Sequence, residues 1–129
     1  MNLKKIFFCL GLSLCLGLGA VGNSWGSDQR ISFRRGAVQA QVTGHLSGIG
    51  PQVCYLAKAR SGQHMRVEIV GDGPTRGTVK FPSGEGSGQP GGVIFDEDLS
   101  ETGDFRICVE ESQMADQWNG KFILKLVIK

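Results

Sequence analysis

The chain has 129 residues, with 14 Lys or Arg against 12 Asp or Glu, 20 glycines and four cysteines. Lys4 and Lys5 belong to an apolar leader, so the remainder of the chain balances at 12 basic against 12 acidic residues. A near-neutral chain has no general appetite for nucleic acid or an anionic membrane, and roughly 100 residues after the leader suffice for one core but not two.

In chain order, Lys4 and Lys5 precede an apolar run from Ile6 to Val21, then small residues, then polar sequence. This is the pattern of a secretory signal peptide. The run is about 16 residues and a spanning helix needs roughly 20, so no membrane association is expected after cleavage. Cleavage is expected after Ala20, Gly22 or Gly26, giving a leader over 1–26 and a single domain over 27–129. Leu14 stands before Cys15, where a lipoprotein signal wants a small residue.

Beyond the leader, residues alternate with a period of two almost throughout, which is the mark of half-buried strands. Ile31 and Phe33 begin it, and Val38, Ala40, Val42, Gly44 and Leu46 continue it. Val53 to Ala59, Met65 to Ile69, Val79 to Phe81, Val93 to Phe95, Phe105 to Val109 and Phe122 to Ile128 come next. Only Ser112 to Trp118 hints at a turn or two of helix. The fold class is therefore all-β: about eight short strands in a two-sheet antiparallel, jelly-roll-like β-sandwich. Turns are expected at 48–51, 61–63, 71–74 and 102–104. The stretch from Pro82 to Gly92 holds five glycines from 84 onward and little to bury, so it is expected to be mobile.

Cys9 and Cys15 leave with the leader, and Cys54 and Cys108 remain in a chain bound for an oxidising compartment. A Cys54–Cys108 disulfide is expected, closing a loop worth about 4 kcal/mol in chain entropy. Tyr55 and Phe105 are the inward residues by phase, which turns both cysteines outward. A bridge then requires the two strands to be neighbours in one sheet.

Catalytic patterns are thin, and no enzyme is expected. His45 and His64 stand beside no recognisable nucleophile and read as solvated surface residues. Asp96, Glu97 and Asp98 lack a cleft for glycoside hydrolysis and the spaced D-x-D-x-D-G loop of a calcium site. The two remaining cysteines and two histidines have no zinc spacing. Neither a metal nor a cofactor is expected. Charge is uneven: 30–80 holds eight basic residues against Glu68 and Asp72, whereas 96–116 holds eight acids against Arg106. If that acidic segment shares one surface it attracts a basic partner; the alternative is that the acids merely decorate solvent-facing positions.

Ile31 to Gly36, Ala40 to Gly44, Tyr55 with Ala59 to Gln63, Phe81 to Gly84, Leu99 to Phe105 and Lys121 to Ile128 together resemble the periplasmic inhibitors of g-type lysozyme. They also resemble the wider set of pre-peptidase C-terminal-like β-sandwich domains. The resemblance implies a periplasmic protein whose partner is a g-type lysozyme, with an S-G-x-Y type loop entering the enzyme's cleft. The matching residues here are Thr102, Gly103, Asp104 and Phe105. Thr102 keeps the hydroxyl, Gly103 lets backbone N–H groups approach closely, and Phe105 lacks the tyrosine oxygen and anchors the turn in the core. Glu101 flanks the loop, and Trp118 is a second candidate contact or a cap on the open end of the sandwich. The alternative is a structural or carbohydrate-binding module of the pre-peptidase C-terminal kind, without inhibitory activity.

Overall fold

The computed structural model describes residues 28–48, 52–112, 116 and 118–129. The expected leader, most of the 48–51 turn and most of the helical turn hinted at over 112–118 lie outside the described residues. Nine strands are present among the described residues: β1 (Gln29–Arg30), β2 (Gln39–Ser47), β3 (Val53–Ala59), β4 (His64–Gly71), β5 (Thr75–Lys80), β6 (Gly86–Pro90), β7 (Gly92–Asp98), β8 (Gly103–Glu111) and β9 (Asn119–Ile128). They form a four-stranded sheet in the order β2-β9-β4-β7 and a five-stranded sheet in the order β1-β3-β8-β5-β6. All neighbours are antiparallel except β1 and β3.

Alternation decides which side chains meet between the sheets. Met65, Val67 and Ile69 from β4 and Phe122, Leu124 and Leu126 from β9 face Tyr55, Ala57, Phe105, Ile107 and Val109 from β3 and β8. Tyr55 stands edge-on to Phe122, ring centroids 6.4 Å apart, an arrangement that aligns ring edge with ring face. Each fully buried aliphatic side chain of this kind contributes roughly 1.5–3 kcal/mol.

Cys54 and Cys108 are directly opposed on β3 and β8 and joined as a disulfide, with Cα atoms 4.1 Å apart. They lie outside the core cluster, on the outward phase, yet both are buried. The strands are sheet neighbours, as the outward phase requires.

The glycine-rich stretch differs from expectation. Residues 86–90 form β6, paired with β5 from Lys80↔Gly86 to Arg76↔Pro90. A tight turn leads into it, with Gly84 N–H donating to Phe81 O at 2.8 Å and Phe81 N–H to Glu85 O at 2.7 Å. Backbone hydrogen bonds, which need no apolar side chain, hold this edge in place.

Candidate functional site at one end of the sandwich

Three turns converge where β3 ends, β7 ends and β8 begins: 60–63, 81–84 and 99–102. Each is tied to another through a polar group. Gly62 N–H donates to Leu99 O at 2.8 Å and Leu99 N–H to Gln63 O at 2.7 Å. Ser61 N–H donates to Thr102 Oγ1 at 2.9 Å. Glu101 accepts from Ser83 N–H at 2.8 Å and from Ser83 Oγ at 2.9 Å. The candidate turn is thus braced from both sides, and Thr102 and Asp104 remain exposed. Because Thr102 Oγ1 accepts inward, its own O–H proton is free to donate outward.

Gly103 has a φ of +145°, and a Cβ there would meet Pro82 Cγ at 3.0 Å. The position combines a backbone conformation that L side chains rarely adopt with a proline wall. Beneath it Phe105 is 1% exposed and stands edge-on to Phe81, centroids 5.7 Å apart. The ring roots the turn in the core.

Asp104 is gripped by Arg30, whose two guanidinium nitrogens donate to its two carboxylate oxygens at 2.9 and 2.8 Å. This bidentate bond, with attraction to Arg30 and Lys58, holds the Asp104 carboxyl below the usual carboxylate range. A parallel tie joins Arg106 Nε to Asp28 Oδ2 at 2.7 Å. Together the two pairs fasten β1 across β3 to β8.

The expected acidic surface is not assembled here. Glu110 and Glu111 lie at the far end of the nine-residue β8, about 27 Å from Gly103 at the antiparallel rise. Glu101 and Asp104 are occupied by Ser83 and Arg30, and Asp96 and Asp98 by His64. Instead, a cavity of about 500 Å³ opens beside Thr102, with Phe33, Ala59 and Ile128 as apolar wall and Lys58, Arg60 and Gln63 on its polar side. Lys58 and Arg60 form no salt bridge among the described residues. The exposed side of the turn therefore meets two cations, of which Lys58 stands directly across from Asp104 and is attracted to its carboxylate.

Trp118 stands at the opposite end. Its Nε1 donates to Pro74 O at 2.8 Å, its carbonyl accepts from Gly48 N–H at 3.1 Å, and its ring lies where a Cβ on Gly73 would come within 2.7 Å. It caps that end of the core, and the structure does not bring it near Thr102, Gly103, Asp104 or Glu101.

His64, expected as a solvated residue, sits between two carboxylates: Nε2 is 2.5 Å from Asp96 Oδ1 and Nδ1 is 2.7 Å from Asp98 Oδ1. The hydrogen bond to Asp96, then that to Asp98, raises its pKa. No signal in the sequence links these residues, since the β4–β7 register is set by the core. His45 is exposed on β2. Among the described residues no group of three or more His, Cys, Asp or Glu is arranged to hold a metal ion.

The fold and its end turns define a two-sheet β-sandwich with a braced loop at one end. No family model matches the chain, and no curated protein does. Among solved structures, it is similar to Aeromonas hydrophila PliG, a periplasmic lysozyme inhibitor of g-type lysozyme, at 20% identity over 80% of this chain and 96% of that one, TM-score 0.64. Salmonella Typhimurium PliG, described in the same words, gives 16% identity over 81% and 99%, TM-score 0.64. A mutant of Escherichia coli PliG gives 17% over 79% and 97%, TM-score 0.60. At these identities the likeness is one of fold.

Proposed function

We propose that the protein is an exported, periplasmic binding domain that inhibits a g-type lysozyme by inserting the Thr102-Gly103-Asp104 turn into the enzyme's cleft. The observation that carries this reading is the turn itself: exposed at its tip, tied to two neighbouring turns, and set on a sandwich like that of three solved inhibitors of this kind. A rigid loop loses little freedom on docking, so more of its contact energy appears as affinity. Thr102 O–H supplies a donor, and Lys58 and Arg60 supply positive charge for carboxylates in the cleft. The protein acts by occupying the cleft and carries out no reaction.

The test is lysis of peptidoglycan-exposed cells. The purified protein should slow lysis by a goose-type lysozyme and leave the chicken type nearly unaffected. Full lysis by the goose-type enzyme at micromolar concentrations of this protein overturns the reading.

A further inference from the structure

Most sheet edges in this molecule are built to discourage strand addition. β1 is two residues long, and β6 is five residues long and ends on Pro90. β7 carries Asp96, Glu97 and Asp98 in succession and its register shifts opposite Val67/Glu68. Short edges, prolines, charges and bulges all act this way. β2 has none of them. Its nine residues, QAQVTGHLS, include no Lys, Arg, Asp, Glu or Pro, and its register against β9 runs unbroken from Gln39 to Ser47.

The hydrogen-bond phase shows which groups are open. Ile128 N–H donates to Val38 O at 2.8 Å, and Gly48 N–H to Trp118 O at 3.1 Å. At both ends of β2, then, an even-numbered residue faces β9, and an unbroken antiparallel ladder carries that alternation between them. The backbone N–H and C=O of Gln39, Gln41, Thr43, His45 and Ser47 therefore point to the free edge, where no described strand pairs with them. Their side chains are exposed, while Ala40, Val42 and Gly44 on the inner face are only half-covered. On the interior strands, Val67 and Leu124 are sealed.

We propose that β2 is a homodimer edge: two copies pair antiparallel through β2 about a two-fold axis at Thr43, joining their four-stranded sheets into one. In this register Thr43 faces its own copy, Gln41 faces His45 and Gln39 faces Ser47, so open groups on one strand meet open groups on the other. On the inner face Val42 meets Gly44 and Ala40 meets Leu46, large against small. An uncharged strand that matches itself under a two-fold axis suits a second copy, because an isologous contact requires each patch to accept itself. The Thr102 ends point in opposite directions in such a dimer, so the pairing stands independently of the lysozyme reading.

The experiment combines light scattering over a concentration series with site-directed cross-linking. The wild-type protein should double its mass as concentration rises. Thr43→Asp, which sets two like charges face to face at the axis, should stay monomeric with an unchanged near-ultraviolet circular dichroism spectrum. Thr43→Cys should form a covalent dimer on mild oxidation, its two Cα atoms about 5.5 Å apart across a hydrogen-bonded pair, within disulfide reach. Gln39→Cys should not, its copies lying about 27 Å apart. A wild-type protein that stays monomeric at every concentration overturns the proposal, and so does a monomer whose edge amides resist hydrogen exchange because another segment covers them. A dimer that survives Thr43→Asp, or equal cross-linking at 39 and 43, overturns it as well.

Discussion

Arg30 reaches over β3 to hold Asp104 by both carboxylate oxygens, at 2.9 and 2.8 Å, linking the first described strand to the tip of the candidate loop. Both side chains are about half exposed, at 49% and 44%, so solvent screening leaves the pair little global stability to give. Its effect is local, because it fixes the Asp104 carboxylate and keeps it ionised. Replacing Arg30 by Gln should leave the melting temperature almost unchanged and raise the Asp104 carboxyl toward the ordinary carboxylate range, with Lys58 alone left to hold it down. NMR titration of the side-chain carboxyl carbon reads this directly. The contribution of the depressed carboxyl is present at neutral pH and is lost as pH falls through its folded value.

Thr102→Val keeps the shape of the side chain and removes its oxygen. Ser61 N–H then loses its acceptor, a change worth about 1 kcal/mol in unfolding free energy. Inhibition of a goose-type lysozyme should fall far more than that cost suggests, since the outward donor is lost as well. Equal inhibition by the variant and the wild type would remove Thr102 from the contact.

Gly103→Val should abolish inhibition and lower stability by about 1–3 kcal/mol, the range for a residue forced into a sparsely populated backbone region. The fold should survive, because the strain is confined to the start of β8 and the collision is with Pro82 alone. Urea denaturation and the lysis assay together separate the two effects.

His64 gives a pH signature. Its folded pKa lies above the unfolded value of about 6.5, so the tie between β4 and β7 is fully present below that pH and is lost as pH climbs through the raised value. Arg66, 3.7 Å from Asp96, shares one carboxylate with it. The stability advantage of wild type over His64→Gln should therefore be constant on the acid side and shrink toward alkaline pH in thermal melts.

Trp118→Ala should cost about 2 kcal/mol, below the range for a fully buried tryptophan, and leave inhibition intact, because Trp118 caps the end opposite the turn. Removal of the disulfide by Cys54→Ala with Cys108→Ala should cost up to about 4 kcal/mol, the cysteines being 54 residues apart in sequence. Calorimetry checks both, and the native protein should weigh two protons less than its reduced form.

Strand phase was legible wherever a strand packs one face on the core. Tyr55, Phe105, Ile107 and Val109 are inward as their spacing indicates, and that same phase fixed the condition under which Cys54 could meet Cys108. β6 was not legible, because its glycines pair through backbone groups that carry no side-chain pattern. Nor were the contacts that shape the turn: Ser61 with Thr102, Ser83 with Glu101 and Arg30 with Asp104 are 41, 18 and 74 residues apart, and only strand order brings them together. The charge run from 96 to 116 suggests one surface because its residues are close in sequence, while β8 carries its two halves to opposite ends.

That geometry separates the demands on the two halves of the molecule. Residues at the tip hold one another through hydroxyls, carboxylates and main-chain groups, and only Leu99, Phe105 and, in part, Phe81 root them in the core, so the exposed positions between those anchors carry little of the burial that holds the fold. The sandwich beneath, whose strands are fixed by buried side chains, sets no comparable demand on which polar groups the tip displays.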